Sequence, residues 1–196
     1  MKLGILGGTF NPVHNGHLAV AEAVYSKLQP EKILLVPAYN PPHKDNEDII
    51  PYVDRLNLVK LAVEPFDYLE VSQLDYTPGE KSYTKYLVQR LKKKYPEYSL
   101  IFILGADNIP QIQTWHDHHW LLENLKFAAV RRSDVEAEKF QKLPYFDQIT
   151  LIDMEPVEVS SQMIRSRLVK GENIDGFVPR AVSDYISKKN LYKKSK

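Results

Sequence analysis

Residues 3–17 read Leu3-Gly4-Ile5-Leu6-Gly7-Gly8-Thr9-Phe10-Asn11-Pro12-Val13-His14-Asn15-Gly16-His17, a short apolar run that breaks into paired glycines and then enters an amphipathic stretch. A buried strand, a glycine turn and a helix start form the opening unit of an α/β sheet. The same alternation continues downstream. Apolar runs at Ile33–Val36, Leu69–Val71, Leu100–Leu104, Phe127–Val130 and Ile149–Ile152 join Leu3–Leu6 as predicted strands. Helical patterns lie between them at Gly16–Leu28, Val53–Glu64, Ser82–Tyr95 and about Trp120–Leu125. Leu56, Val59 and Val63 fall near one face of the second helix, which Pro65 stops. Leu87, Val88 and Leu91 do the same in the third, with Lys92-Lys93-Lys94 as its solvated end.

The alternation predicts a Rossmann-like, doubly wound parallel sheet with C-terminal helices at Ser160–Lys170 and Pro179–Lys189. Length and composition agree with one domain over residues 1–196. Of 196 residues 43% are hydrophobic and 26% charged, enough apolar material for a core. Lys plus Arg number 26 and Asp plus Glu 25, which argues against a strongly basic nucleic-acid or membrane-surface protein. The absence of cysteine excludes disulfides, thiolate zinc sites, cysteine-ligated iron–sulfur clusters and cysteine nucleophiles. Glycines interrupt the N-terminus too early for a signal-peptide core, and no apolar run reaches the roughly 18 residues that span a bilayer. A cytoplasmic protein is the expectation. Lys193-Lys194-Ser195-Lys196 reads as a frayed tail.

Ligands of such sheets bind beyond the carboxyl ends of the strands. The loops after Leu6, Val36 and Leu104, and the segment before Ser160, therefore carry the candidate chemistry. In the first loop, Gly7 and Gly8 let backbone amides approach a bulky anion, and the helix start near Gly16 aims N–H groups at the same place. The loop matches neither G-x-G-x-x-G nor the Walker A pattern. His14 and His17 are three residues apart, so both can face one side of the helix start. On spacing alone they also fit capping or surface histidines. A zinc site lacks the accompanying glutamate and any cysteine ligand.

The run Gly8-Thr9-Phe10-Asn11-Pro12-Val13-His14-Asn15-Gly16-His17 resembles the phosphate-binding motif of the HxGH nucleotidyltransferase superfamily. Asn11 stands where that family commonly has Asp. The loop Pro37-Ala38-Tyr39-Asn40-Pro41-Pro42-His43-Lys44 is similar to the Pro-Pro-His-Lys element of its bacterial nicotinate mononucleotide adenylyltransferase branch. Ser82-Tyr83-Thr84 lies where that branch docks a pyridine carboxylate, with Ser82 as a good N-cap and the N–H groups of Tyr83 and Thr84 favouring an anion. Val159-Ser160-Ser161-Gln162-Met163-Ile164-Arg165 resembles the family's Ile-Ser-Ser-Thr-x-x-Arg helix start, with Gln162 in place of Thr. The resemblance covers the whole chain.

What it implies is transfer of AMP from ATP to nicotinate mononucleotide, giving nicotinate adenine dinucleotide and pyrophosphate. The implied ATP site is Gly7, Gly8, Thr9, Phe10, His14, His17, Gly105, Asp107, Ser160, Ser161 and Arg165. Asp107 would accept the ribose hydroxyls, although by itself it also fits a turn cap. The implied mononucleotide site is Lys44, Ser82, Tyr83, Thr84 and Trp115, with the indole stacking on the pyridine. His14, His17, Lys44 and Arg165 are the expected catalytic residues, with Mg²⁺ entering on ATP and no dedicated protein metal site. His116, Asp117, His118 and His119 resemble a metal cluster in composition only and read as an exposed loop. A sister transferase acting on nicotinamide mononucleotide or phosphopantetheine, and a non-catalytic dinucleotide sensor, are the competing readings. The family often forms homodimers, but no interface patch stands out in the sequence. The prolines and charges of residues 39–49 suit either a rigid wall or a lid.

Overall fold

The computed structural model describes residues 1–41, 49–132 and 138–192. Strand β1 (Lys2–Gly8) leads into helix α1 (Asn15–Leu28), β2 (Lys32–Pro37) into α2 (Tyr52–Val63), and β3 (Leu69–Val71) into α3 (Thr84–Lys94). Strand β4 (Ser99–Gly105) continues through a 3₁₀ segment, Ala106–Thr114, to α4 (His118–Asn124). Strand β5 (Lys126–Arg132), a short α5 (Glu138–Gln141), a 3₁₀ turn at Phe146–Gln148 and β6 (Ile149–Met154) follow. Helices α6 (Ser161–Val169) and α7 (Arg180–Lys189) come last.

The six strands form one sheet in the order β3-β2-β1-β4-β5-β6, with every neighbouring pair parallel. Successive side chains of a strand point to opposite faces, so the central strands feed two cores. Ile101 and Ile103 of β4 pack on one face with Ala21, Val24, Leu58 and Val59 of α1 and α2. Leu100, Phe102 and Leu104 pack on the other with Leu87, Val88 and Leu91 of α3. The near-continuous apolar strands are explained by this double burial. Among the described residues, no helix is long and apolar enough to cross a membrane.

All six predicted strands and all six predicted helices are present, within a few residues at their ends. Three elements were not expected from sequence: the 3₁₀ segment 106–114, α5 and the turn at 146–148. Each is short or, as at Pro110, interrupted by a residue that cannot donate to a helix, so no periodicity announces it. Two expectations need correction. Helix α4 starts at His118, so His118 and His119 lie in a helix rather than in a loop. Helix α3 starts at Thr84 with Tyr83 as its N-cap, so Ser82 does not cap it. Pro42, His43, Lys44, most of the 39–49 loop and the 193–196 tail lie outside the described residues.

Candidate active site

Strand β1 is followed by a crossover to β2 on one side, and β4 lies on its other side, so the chain leaves these two neighbours in opposite directions. That divergence opens a crevice at their carboxyl ends. Two cavities meet in it. One, of about 500 Å³, is lined by Gly7, Gly8, Asp75, Ser82, Thr84 and Trp115 among others. The second, of about 610 Å³, includes His14, Asp107, Arg131 and Val159. His17, Val20 and Gly105 line both. Each volume suits a small-molecule site.

His14 is the N-cap of α1, and its backbone N–H donates to Nδ1 of His17 at 3.2 Å. An Nδ1 that accepts leaves the proton of neutral His17 on Nε2. The two rings lie 3.7 Å apart, 31° from parallel, while Phe10 sets its edge against His17 at 4.9 Å. Gly16 permits this stack, because a Cβ there would lie 3.0 Å from both His14 Nδ1 and Val159 Cγ1. His14 is buried, and among the described residues its Nδ1 has no hydrogen-bond partner. Burial lowers its pKa from 6.5 to about 4, because desolvation penalises the imidazolium.

The turn before His14 is fastened from several directions. Arg165 Nη1 donates to the carbonyl of Asn11 at 2.9 Å, and Ser161 Oγ to the carbonyl of Pro12 at 2.8 Å. Ser160 caps α6 as expected, accepting the N–H of Met163 at 3.1 Å. Ser161 and Arg165, expected to face phosphates, are thus also structural ties to the first loop. Arg55, absent from the expected site, donates to the carbonyls of Thr9, Ala38, Tyr39 and Ile50. It shares a helix face with Leu58, Val59 and Ala62, at spacings of three, four and seven, and that apolar setting was the available signal.

On the other side of the crevice, Ser82 Oγ accepts the N–H of Asn40 at 2.8 Å instead of capping α3. The N–H of Tyr83 is spent on the carbonyl of Lys81, which corrects its expected role as an anion donor. Thr84, the first residue of α3, keeps the position at which helix N–H groups lack an intrahelical partner. The ring of His116 stacks on Tyr83 at 4.6 Å, and Lys85 pairs with Asp117. These contacts tie the start of α3 to the loop carrying Trp115, which is half-buried with its edge on Phe102 at 5.6 Å. Asp75, also unforeseen, is buried beneath this wall and accepts the N–H of Tyr39 at 3.0 Å. Desolvation raises its pKa, opposed by the Ser82 hydroxyl, the Tyr39 N–H and the Arg90 and Arg55 guanidiniums.

Gly105 and Asp107 sit together at the end of β4. A Cβ on Gly105 would collide with Asp107 Oδ1, so glycine is what lets the carboxylate fold back over the strand end. Arg131, not anticipated from sequence, lines the same cavity and pairs with Asp153. Gly7 and Gly8 line the cavity with Trp115 rather than the one with Asp107, and the Thr9 carbonyl is held by Arg55. Lys44 lies outside the described residues. Among the described residues, no group of three or more His, Asp or Glu could hold a metal ion.

A family profile described as Cytidylyltransferase-like matches residues 5–167. A protein of Exiguobacterium sibiricum named "Probable nicotinate-nucleotide adenylyltransferase" is 37% identical over 192 residues, covering 98% of this chain and 99% of its own. A protein of Clostridium tetani with the same name is 35% identical over 198 residues. The chain belongs to the cytidylyltransferase-like family, among the nicotinate-nucleotide adenylyltransferases. A solved structure described as Plasmodium falciparum nicotinic acid mononucleotide adenylyltransferase complexed with NaAD superimposes with a TM-score of 0.82, at 23% identity and 97% coverage of both chains. That likeness supports the fold of this family member.

The His14 geometry makes a prediction about pH. The unfolded histidine binds a proton near pH 6.5 and the folded one only near pH 4, so between these values the unfolded state holds more protons. Stability contributed by neutral His14 is complete above pH 6.5 and is lost as pH falls toward 4, by roughly 3 kcal/mol in all. Urea midpoints measured from pH 7.5 to 4 are expected to fall across this window in the wild type. The fall should be smaller in His14→Gln by that amount.

Proposed function

We propose that this chain transfers the adenylyl group of ATP to nicotinate mononucleotide, releasing pyrophosphate and forming nicotinate adenine dinucleotide. The observation that carries the reading is the meeting of two cavities at His17, over the switch point between β1 and β4. One cavity offers an aromatic wall and a helix N-terminus, suited to a pyridine carboxylate. The other offers a strand-end carboxylate, suited to a ribose. A reaction that joins two nucleotides needs both, with the reacting phosphates between them. The names of the relatives support the same chemistry.

In this reaction a phosphate oxygen of the mononucleotide attacks the α-phosphorus of ATP. The new P–O bond forms as the bond to the β-phosphate oxygen breaks, and pyrophosphate carries away the electron pair. The attacking phosphate, with a second pKa of about 6, is ionised at neutral pH and needs no general base. Catalysis then rests on in-line positioning and on stabilising charge at the transferred and departing phosphates. His17, with its proton on Nε2, is a neutral donor to a phosphate oxygen between the cavities. His14 supports the same stack in its neutral form. Arg165, Ser160 and Lys44 act on the departing pyrophosphate, joined by Ser161 once its hydroxyl turns from the Pro12 carbonyl, and the substrate is the magnesium complex of ATP. The backbone N–H of Thr84 receives the pyridine carboxylate, which an amide replaces only with loss of charge.

Pyrophosphate release with ATP and Mg²⁺ is expected to be fastest with nicotinate mononucleotide, by about ten- to a hundredfold over the nicotinamide form. A preference for nicotinamide mononucleotide or phosphopantetheine would overturn the substrate assignment, and release with none of them would favour a dinucleotide sensor. His17→Ala should lower kcat by about a hundredfold or more while lowering Tm by only a few degrees, the cost of unpairing the His14 N–H. Near-normal turnover would remove His17 from the mechanism. Trp115→Ala should raise KM for the mononucleotide about tenfold and leave that for ATP nearly unchanged. Steady-state kinetics with each substrate varied in turn separates this from a packing role, which would disturb both.

A further inference from the structure

Helix α7 ends at Lys189, and the chain turns back through Asn190 and Tyr192, both with left-handed backbone at φ 52° and 62°. Bulky residues rarely adopt this conformation, and where they do the surroundings impose it. The turn delivers Tyr192 to the first loop. Its hydroxyl donates to Oδ1 of Asn11 at 2.9 Å, and the N–H of Ile50 donates to the same oxygen at 3.3 Å. The carbonyl of Asn11 takes Arg165 Nη1 at 2.9 Å. Asn11 is therefore a junction, three residues before His14, where the C-terminal turn, α6 and the entry to α2 all meet the nucleotide loop. Burial also keeps the Tyr192 phenol protonated and hence a donor.

The base of this turn is anchored without Tyr192. Tyr185 Oη donates to Asp54 Oδ1 at 2.9 Å and accepts from Asn57 Nδ2 at 3.1 Å, which fixes α7 to α2. The Tyr192 hydroxyl is thus directed at the loop rather than needed to hold the helix down. We propose that Tyr192 is a positioning residue for adenylyl transfer: through Asn11 it fixes the Asn11–His14 turn and so the placement of the histidine pair. This rests on the function proposed above. Asn11, which replaces the acidic residue of the resembled motif, supplies through its amide oxygen the acceptor that the phenol requires.

Tyr192→Phe keeps the ring and removes only the donor. The expected result is a kcat about tenfold lower, with KM for both substrates within about twofold and Tm nearly unchanged. Amide hydrogen exchange at His14 should quicken about tenfold. In an Asn11→Ala background the same change should add little, because Tyr192 acts through Asn11. With an active wild type, an unchanged kcat, a full additional loss in the Asn11→Ala background, or a loss explained by unfolding at the assay temperature overturns the proposal. If the wild-type chain transfers AMP to no mononucleotide, the function reading fails. The exchange rate at His14 then decides by itself whether Tyr192 holds the turn.

Discussion

Arg55 is 2% exposed, yet its guanidinium meets main-chain carbonyls rather than a carboxylate, and among the described residues it forms no ion pair. Burying a cation costs several kcal/mol unless its donors are satisfied. Here the planar fork reaches Thr9 in the loop after β1, Ala38 and Tyr39 in the loop after β2, and Ile50 at the entry to α2, while the Tyr52 ring lies 5.5 Å away. A lysine could not span these acceptors, because its ammonium is a single point. Neither loop can shift without unpairing the other. The loops also enclose a positive charge, with the buried carboxylate of Asp75 nearby as a partial counterweight, behind the place where the proposed reaction brings two anionic substrates together.

That arrangement bears on how the histidines work. Two imidazolium ions 3.7 Å apart would repel by about 4 kcal/mol even at an effective dielectric constant of 20. Burial already holds His14 neutral, and the N–H that His14 gives to Nδ1 of His17 occupies the nitrogen whose protonation would charge the second ring. In the proposed reaction the pair then offers neutral imidazoles rather than charge, with His17 as the N–H donor. Positive potential comes from guanidiniums set around it, Arg55 behind the loops and Arg165 across from them. Fixed donors and distant fixed charges need no rearrangement as the leaving group develops its charge, which is what electrostatic preorganisation requires.

The sheet was legible because its strands are buried on both faces, and Leu3–Leu6 or Leu100–Leu104 can hardly be read otherwise. The helices were legible through stripes such as Leu87, Val88 and Leu91. Much of the crevice was legible too, since His14, His17, Gly105 and Ser160 fall at strand ends and helix starts, where topology alone gathers them. What escaped was the wiring between distant segments. Serine before a helix usually caps it, but Asn40 takes the oxygen of Ser82 and α3 begins two residues later. Arg55 does not stand out because a lone charge in an amphipathic helix ordinarily faces water, nor does Asp75, because an acidic residue in a loop ordinarily does the same. Their burial is set by loops that meet only once the sheet has formed.

Two of the side chains expected to face phosphate raise a related point, since Ser161 and Arg165 are already engaged in this structure. Ser161 gives its only proton to the Pro12 carbonyl, so it can serve a phosphate only by turning away from the loop. Arg165 is different. One of its nitrogens holds the Asn11 carbonyl, and the remaining donors of the same fork have no protein partner among the described residues. A guanidinium can therefore keep the loop in place with one edge while presenting another to the pyrophosphate. A serine in its place would have to choose, and a lysine would offer charge without the second edge. The helix that carries Arg165 thus couples the position of the first loop to the charge expected on the leaving group, and no moving part is needed to do it.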